Sequence, residues 1–547
     1  MALSVLYAAL TLLGYVFKNY GGLDYLRNSR GDQLGMLAAF IVLAAFYYIV
    51  ILYLFRYIDS RANRGERIND DKLPAVRKWI SAHNFLFSLI VILVCWLPYL
   101  LIQYPGNVSW DGLSQLYQFV GEIEKTNRWP YMSTMFFGAL FTFGRSLVND
   151  NFGIFCIIIV QYAACAFIFS AIASYVYLIG KRLRYYFAAI GFYTIYPVFP
   201  QYAVTVIKET MYVALFALFI LMIAKTLAEK SPTRARVIGL ACAGLGLCFF
   251  RSEGVFVVAI AFLILFFVIK PARLPLGLSL VSILAVLLVI GNLFLPGIGV
   301  RTIAGVSSES MSLPFQQTAR YIREFGDEVT EAERPVIEET LAAEDYRDLG
   351  NSYSPEQANP IKKGVREITN ISEYIKVWRQ MFMKHPMVYV QATINGAYGY
   401  FTPFEYIGIR DYYYNYIDST ANDEIPPESR LDIYYTADVE WGGRDAVRKA
   451  GLIKYMHAWI DLPIVNATVS SMGFYTWALL FLLAFTLRKR AFRACAVFAA
   501  PLAILAICVA SPVNGSFRYI FPIIACIPVL FAFCLHSGKH SGKPEAF

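Results

Sequence analysis

The sequence predicts an all-α polytopic membrane protein. Hydrophobic residues make up 58% of its 547 residues and charged residues only 16%, with a mean hydropathy of +0.50. Apolar runs near the length that a helix needs to cross a bilayer recur along the chain. The 38 Tyr and 42 Phe residues often lie at the ends of these runs, as the aromatic residues of a membrane interface do.

Twelve apolar runs are candidate transmembrane helices, and we expect about twelve crossings. The first run lacks a basic start and a small-residue cleavage site, so it is interpreted as a retained span rather than as a signal peptide. The predicted spans cover residues 2–18, 34–56, 85–103, 152–179, 183–199, 207–228, 236–250, 253–270, 274–295, 470–488, 494–511 and 517–536.

Basic residues concentrate in five connecting segments, which the positive-inside rule assigns to the cytoplasm together with both termini. All five segments fall on one side of the membrane only if residues 130–148 do not cross it. This stretch is therefore predicted to be a surface or re-entrant helix. The net charge of +9 is then explained by membrane orientation and does not require nucleic acid as a partner. The five segments are 56–78, 181–184, 225–236, 270–273 and 488–493.

This topology divides the chain into five parts. The first outer loop of the transmembrane core is expected to carry two interfacial helices, near 113–125 and 130–148. The large polar insert is expected to be mainly helical and extracytoplasmic. The parts are a two-span N-terminal addition with a basic cytoplasmic loop (1–84), the core (85–295), the insert (296–469), the C-terminal transmembrane helices (470–536) and a cytoplasmic tail (537–547).

The sequence lacks the motifs that several classes of function require. The nine cysteines all lie in apolar runs, so the insert is not held by disulfides, and no Cys/His spacing suggests zinc. There is no Walker motif and no Gly-rich nucleotide loop, which argues against an ATP-driven pump. No span centre carries the paired ionisable residues of a proton-coupled transporter. The energy for any reaction must therefore arrive with the substrate.

Asp111 follows the third predicted span, just after the turn formers Pro105, Gly106 and Asn107. An acid near the membrane is costly to desolvate and is commonly retained for function. In an outer loop it could act as a general base toward a lipid-borne substrate. The alternative is that Asp111 only caps the helix that follows, because Asp is a good N-cap residue.

Charged residues at other outer span ends could complete a site. Lys208 and Glu209 begin the sixth span, where they could anchor the helix, or bind a lipid phosphate and, at Glu209, a metal ion. Arg251 and Glu253 flank a tight turn and could form a local ion pair. Arg518 begins the last span, where it could snorkel to headgroups or grip a phosphate bidentately.

The insert contributes further candidates. Gln316, Gln317 and Arg320 suit sugar hydroxyls or phosphate, although they also suit any solvated helix. His385 precedes Pro386 and could simply end a helix.

These features resemble the GT-C superfamily of polytopic glycosyltransferases, in which an acid follows a span in the first outer loop of the core and two interfacial helices come next. Aminoarabinose and protein O-mannosyl transferases have a His-Pro or Pro-Pro element where this chain has Arg128–Trp129–Pro130–Tyr131. A bacterial branch of membrane proteins is similar over about 85–536, with a Lys-Asp pair where this chain has Lys208–Glu209. The matching motifs are 104–115, 313–317, 384–386 and 511–519.

The resemblance implies transfer of a sugar, with inversion, from a polyprenyl-phosphate donor to a glycan or lipid-linked acceptor outside a bacterial plasma membrane. It implies Asp111 as catalytic base, with Lys208, Arg320 and Arg518 binding the donor phosphate. A divalent metal is optional and would lie at Glu209. Substrate-binding residues would be Gln115, Gln316, Gln317, Arg251, Glu253, His385 and Tyr519.

Two other functions remain open at this stage. A transporter, flippase or polymerase for lipid-linked glycans would move or join preassembled glycan instead of transferring single sugars. A structural subunit would use the insert only to recruit partners. The grouping of ionisable residues in the outer loops argues mildly against the structural subunit.

Overall fold

A computed structural model describes residues 1–25, 29–63, 75–302, 308–365, 368, 370–403, 431, 451–452, 454–456, 458–459 and 461–537. It is about 79% helical, which confirms the all-α fold class. The predicted tail, except Ser537, and much of the predicted insert after Pro403 lie outside the described residues.

In its described residues, the N-terminal part contains two long helices and one short helix: α1 (Ala2–Tyr20), α2 (Arg30–Asn63) and α3 (Ala75–Ala82). Helices α1 and α2 pack against each other, and α1 also contacts the insert. Helix α1 ends at Gly21, whose left-handed conformation (φ 69°) favours glycine.

The core contains ten helices among the described residues. Helix α13 continues through a π turn (Ile290–Phe294) into Leu295–Gly297, and the 3-10 turn Lys270–Ala272 precedes it. The helices are α4 (Asn84–Ile102), α5 (Trp110–Val120), α6 (Tyr131–Leu147), α7 (Asp150–Gly180), α8 (Leu183–Ile195), α9 (Val198–Ala203), α10 (Lys208–Ala228), α11 (Arg234–Phe250), α12 (Gly254–Val268) and α13 (Arg273–Val289).

The insert helices pack around their own apolar centre, which includes Phe315, Ile337 and Tyr374. Short 3-10 turns at Gly326–Glu328 and Tyr398–Tyr400 connect or follow them. The helices are α14 (Ser312–Phe325), α15 (Arg334–Leu341), α16 (Tyr346–Asn351), α17 (Asn359–Lys362), α18 (Ile371–Lys384) and α19 (Pro386–Asn395).

The C-terminal part returns to the core. Its elements are α20 (Pro463–Ala467), α21 (Met472–Arg488), a 3-10 turn (Ala494–Phe498), α22 (Ala499–Val509) and α23 (Phe517–Ser537). Helix α10 lies at the centre of the molecule, because it packs against α7, α11 and α23 and buries most of its length. Its charged first turn is therefore surrounded by other elements.

Among the described residues, seven helical segments are long and apolar enough to cross a membrane, as an all-α membrane protein requires. Helices also form at the other five predicted spans, but they are only 13 to 17 residues long. Twelve crossings therefore stay a prediction. The seven segments are Ala2–Tyr20, Arg30–Ser60, Asn84–Ile102, Asp150–Gly180, Lys208–Ala228, Lys270–Gly297 and Phe517–His536.

Candidate active site

Two loops that are about one hundred residues apart in sequence meet in a short parallel strand pair. Strand β1 (Asn107–Val108) pairs with β2 (Thr205–Val206). The Asn107 N–H donates to the Val204 carbonyl at 2.8 Å, and the Ser109 N–H donates to the Val206 carbonyl at 3.2 Å. Gly106 enters the pair with φ 128°, and a side chain there would collide with α7. This pairing sets the start of α5 beside the start of α10.

Buried glutamines hold the same loops in place. The Gln103 and Gln201 side chains hydrogen-bond to each other at 2.8 and 3.1 Å. The Gln161 amide on α7 donates to the carbonyls of Ala203 and Thr205 at 3.0 and 2.8 Å. Backbone groups buried away from water need such partners. This network was not predicted from the sequence, although a glutamine inside an apolar run, such as Gln161 in 152–179, is a usable signal.

Ser109, and not Asp111, caps helix α5. Its hydroxyl accepts from the Gly112 N–H at 3.0 Å and donates to the Val206 carbonyl at 3.0 Å. Helix α5 begins at Trp110, so Asp111 lies within the first turn and the capping alternative for it was wrong. The Asp111 carboxylate instead points to the cations of α10 and α23 and lies near the positive end of the α5 dipole.

Asp111, Lys208 and Arg518 form one ionic group. The Lys208 ammonium donates to Asp111 Oδ2, and Arg518 Nη1 lies 3.8 Å from the same oxygen. Arg518 also donates through Nη2 to the Tyr519 hydroxyl at 3.2 Å. The site thus presents one carboxylate between two cations that come from different helices.

A second ionic group lies directly beside the first. Glu209 Oε1 is 3.7 Å from Lys208 Nζ and accepts from Arg251 Nη1 at 3.3 Å. Arg251 also donates to both carboxylate oxygens of Glu253, at 2.9 and 3.3 Å. Its guanidinium lies over the Tyr519 ring, 4.8 Å from the centroid. The local Arg251–Glu253 ion pair is thus present, and it continues into Glu209.

The two ionic groups together form one cluster, called the Asp111 cluster below. Solvent exposure of its side chains increases from one side to the other. The members of the cluster are Asp111, Lys208, Glu209, Arg251, Glu253 and Arg518. The Glu209, Arg251 and Lys208 side chains are 1%, 7% and 10% exposed. Asp111 and Arg518 are 27% and 31% exposed, and Glu253 is 38% exposed. The cluster is therefore buried on one side and accessible on the other, where Asp111 and Arg518 lie side by side.

The charges of the cluster lower the pKa values of Asp111 and Glu253. Burial alone would raise the pKa of Asp111, but the positive charges of Lys208 and Arg518, with Arg128 contributing, lower it overall. Burial would also raise the pKa of Glu253, but Arg251 lowers it to about 2. Both acids are ionised at neutral pH, so Asp111 is a weak base while its cations remain in place.

Two buried polar atoms in this region have no hydrogen-bond partner among the described residues: Glu209 Oε2 and the Tyr212 hydroxyl. Tyr212, which the sequence analysis did not select, also lies under the Arg251 guanidinium at 5.6 Å. A signal for it was present, since Tyr212 follows Glu209 by one helical turn.

A metal ion at Glu209 stays a prediction. The nearest charged partners of Glu209 are the cations Lys208 and Arg251, which disfavour a divalent cation at this carboxylate. In the part of the chain that the structure describes, no group of three or more His, Cys, Asp and Glu residues could hold a metal ion.

The other predicted site residues make their contacts elsewhere. Gln115 lies one turn after Asp111, but its amide donates to Ser133 and Thr134 at 2.8 and 3.0 Å. Arg320 is buried and binds Glu324 at 2.8 Å and the Gly21 carbonyl at 3.2 Å. It therefore joins the insert to α1.

The remaining insert candidates are engaged within the insert. The Gln316 amide donates to the Ser354 carbonyl at 2.8 Å, and that of Gln317 donates to the Thr393 hydroxyl at 3.0 Å. His385 ends α18, lies 2.8 Å from Glu328 and stacks on a phenylalanine ring. None of these contacts involves the Asp111 cluster.

Comparison with known proteins identifies the chain at the level of family. No curated protein matches the chain, and no solved structure matches it. A family model matches residues 124–546, which is most of the chain. The protein belongs to this family, which is described as a family of unknown function (DUF6020).

Proposed function

We propose that the protein is an integral membrane glycosyltransferase of the GT-C type. It would move a sugar from a polyprenyl-phosphate donor to a glycan or lipid-linked acceptor on the extracytoplasmic side, with inversion. The observation that carries this proposal is the accessible face on which one carboxylate, Asp111, contacts two cations, Lys208 and Arg518. A base beside a phosphate-binding pair is what such a transfer needs.

The donor phosphate would bind Lys208 and Arg518. Both cations contact Asp111 before the donor arrives, so the phosphate oxygens compete with the carboxylate for them. Drawing the cations toward the phosphate weakens the interaction that lowers the pKa of Asp111. Donor binding would therefore turn a weak base into a stronger one at the time it is needed.

The reaction then balances without a further reactant. The acceptor hydroxyl oxygen attacks the anomeric carbon from the face opposite the leaving group, and the bond from that carbon to the phosphate oxygen breaks. Asp111 takes the hydroxyl proton, and polyprenyl phosphate leaves with the bonding electrons. Lys208 and Arg518 offset the charge that develops on the leaving oxygen. No step requires a metal ion.

The buried part of the cluster would position these groups. Glu209 contacts both Lys208 and Arg251, and Arg251 joins Glu253 and Tyr519 to the same network. Glu253 is the most exposed carboxylate of the cluster and would accept a hydrogen bond from a substrate hydroxyl. Gln316, Gln317, Arg320 and His385 act in this proposal only through the fold of the insert.

Two groups of contacts support the orientation and the twelve-span topology. Helix α10 begins at the cluster and has 21 residues, a length of roughly 31 Å. Just beyond its far end, Glu229 is 3.0 Å from Arg236, and its carbonyl accepts from Arg493. At the basic ends of α2 and α21, Arg488 and Lys489 contact Asp59. The basic segments thus face the cytoplasm in this proposal and Asp111 faces outside a bacterial plasma membrane.

A reconstituted assay tests the proposal directly. The full-length protein in proteoliposomes would receive a panel of radiolabelled polyprenyl-phosphate sugars and an extracted cell-envelope acceptor. We expect a new glycosidic bond whose anomeric configuration is opposite to that of the donor. Transport of lipid-linked glycan without a new bond would overturn the proposal in favour of a flippase. Absence of both activities would favour a structural role.

A further inference from the structure

Tyr519 joins the two ionic groups of the Asp111 cluster. It lies in the first turn of α23, directly after Arg518, and it is buried. The Cζ atoms of Arg251 and Arg518 are 4.8 and 5.1 Å from its ring centroid. Its hydroxyl accepts from Arg518 Nη2 at 3.2 Å. The resemblance implied that Tyr519 binds substrate, but these contacts engage it with two arginines of the site.

The Tyr519 ring lies over a cation that is itself firmly held. Arg251 is buried and donates to Glu209 at 3.3 Å and to both carboxylate oxygens of Glu253 at 2.9 and 3.3 Å. Moving this guanidinium would leave buried charges without their partners, which is costly. An aromatic ring over a guanidinium is attracted by its charge. The position of the Tyr519 hydroxyl is therefore set from the buried side of the cluster.

The hydroxyl fixes one edge of the Arg518 guanidinium. Nη2 donates to Tyr519, and Nη1 lies 3.8 Å from Asp111 Oδ2. That separation is an ion pair and is longer than the limit of about 3.2 Å for an ordinary N–H···O hydrogen bond. Arginine and carboxylate frequently form a bidentate pair instead, with two parallel hydrogen bonds of roughly 2.8 Å. The contact between Arg518 and Asp111 is thus an open ion pair.

An open ion pair favours the binding of a second anion by Arg518. A phosphate that binds this cation has to draw it away from Asp111, and a bidentate pair with the carboxylate would resist this more strongly. Asp111 keeps a closer partner in any case, because its Oδ2 accepts from the Lys208 ammonium. Arg518 also lies on the accessible side of the cluster, where an anion would enter.

We propose that Tyr519 is a positioning residue whose hydroxyl holds Arg518 back from a bidentate contact with Asp111, so that Arg518 can bind a phosphate. The identity of this phosphate as that of the donor rests on the proposed function. The competition between the carboxylate and an entering anion follows from the contacts of Arg518 themselves. Without the hydroxyl, Nη2 would close onto the carboxylate and the site would bind phosphate less well.

A double-mutant cycle tests the inference without turnover. The measurement is the affinity of geranyl phosphate for the full-length protein in phosphatidylcholine nanodiscs, by calorimetry with empty nanodiscs as the blank. Tyr519→Phe removes the hydroxyl and keeps the ring over Arg251. Tyr193→Phe is the matched control, because its buried hydroxyl donates to the Ala525 carbonyl of the same helix at 2.8 Å, outside the cluster. Asp111→Asn supplies a background without the competing carboxylate.

We expect Tyr519→Phe to weaken binding about tenfold in the wild-type background, near the lower end for a hydrogen bond to a charged group. Tyr193→Phe should leave binding unchanged. In the Asp111→Asn background, Tyr519→Phe should weaken binding less than about twofold, because no carboxylate remains to close onto Arg518. Melting temperatures verify folding, and Tyr519→Met, which also lacks the hydroxyl, replaces Tyr519→Phe if the latter does not fold.

Equal weakening by Tyr519→Phe in both backgrounds would overturn the inference, because the hydroxyl would then only orient Arg518. Unchanged binding in Tyr519→Phe would overturn it too, as would absence of binding to the wild type. The predicted pattern of binding without any sugar transfer would refute the proposed function alone. Sugar transfer together with equal weakening would refute this inference alone, so the two failures are distinguishable.

Discussion

Six charged side chains of the cluster balance one another. Asp111, Glu209 and Glu253 face Lys208, Arg251 and Arg518, so the group is close to neutral before a ligand binds. A phosphate would add negative charge to a partly desolvated region. The proton that Asp111 takes from the acceptor hydroxyl would offset this added charge, so the bound donor would make Asp111 a stronger base.

Removal of the most buried acid should destabilise the protein. Glu209→Gln leaves Arg251 with Glu253 as its remaining charged partner and removes the second contact of Lys208. We expect a loss of about 3 kcal/mol, at the lower end of the range for breaking a buried pair. Thermal denaturation in detergent measures it. Glu124→Gln is the control, since its pair with Arg301 is largely exposed and should contribute less than about 1 kcal/mol. Equal shifts in both variants would contradict the burial argument.

Acid conditions should weaken the Arg251–Glu253 contact. The folded state lowers the pKa of Glu253 from its ordinary value of 4.5 to about 2. Its stabilising contribution is therefore complete above about pH 4.5 and is lost as the pH falls toward 2. The difference in melting temperature between wild type and Glu253→Gln should shrink between pH 7 and pH 3. A difference that is independent of pH would contradict the assigned ion pair.

At the scale of elements, the strand pair β1–β2 and the Ser109 cap position the site. Ser109→Ala removes the cap of α5 and the bond to Val206, at a cost of about 1 kcal/mol, and should displace Asp111. Thr233→Ala removes the corresponding cap of α11, a bond of 3.3 Å, at the opposite end of the core. Transferase activity should fall with Ser109→Ala and persist with Thr233→Ala, at similar melting temperatures. Equal activity in both variants would show that the Ser109 cap does not set the catalytic geometry.

The charged residues at span ends were the part of the site that sequence could predict. Asp111, Lys208, Glu209 and Arg518 follow or begin apolar runs, so we expected them to lie near the ends of membrane spans, where they could meet. The strand pair was missed because two residues carry no periodicity. Capping of the helix by Asp111 was the alternative to its catalytic role, and Ser109 was not considered, although both residue types favour the N-cap position.

Some residues that were predicted to belong to the site lie outside the cluster, because their partners are far away in sequence. Arg320 binds the Gly21 carbonyl, 299 residues away in sequence, and no local pattern indicates that pairing. His385 and Glu328 meet across the insert in the same way. The apolar runs did predict where helices form, because a run of apolar residues within a short stretch of sequence indicates a buried helix.

At the scale of the whole molecule, the cluster and residues of two basic segments, Arg236 and Arg493, lie at opposite ends of α10. This separation predicts opposite labelling of two single-cysteine variants by a membrane-impermeant maleimide. Glu331→Cys in the insert should react in intact cells, whereas Lys230→Cys should react only after permeabilisation. Both positions are exposed, so access to the reagent and not burial decides the result. Labelling of Lys230→Cys in intact cells would reverse the proposed orientation.

In the proposed sugar transfer Asp111 is the catalytic base, and a comparison of two carboxylate-to-amide variants tests this role. Asp111→Asn should lower turnover of the polyprenyl-phosphate sugar by about 10²–10⁴-fold, because the amide cannot take the acceptor proton. Asp150→Asn is the control, since it also removes an ion-paired carboxylate, 2.8 Å from Arg145, but outside the cluster. We expect folded protein in both cases and loss of activity only with Asp111→Asn. Wild-type turnover by Asp111→Asn would contradict it.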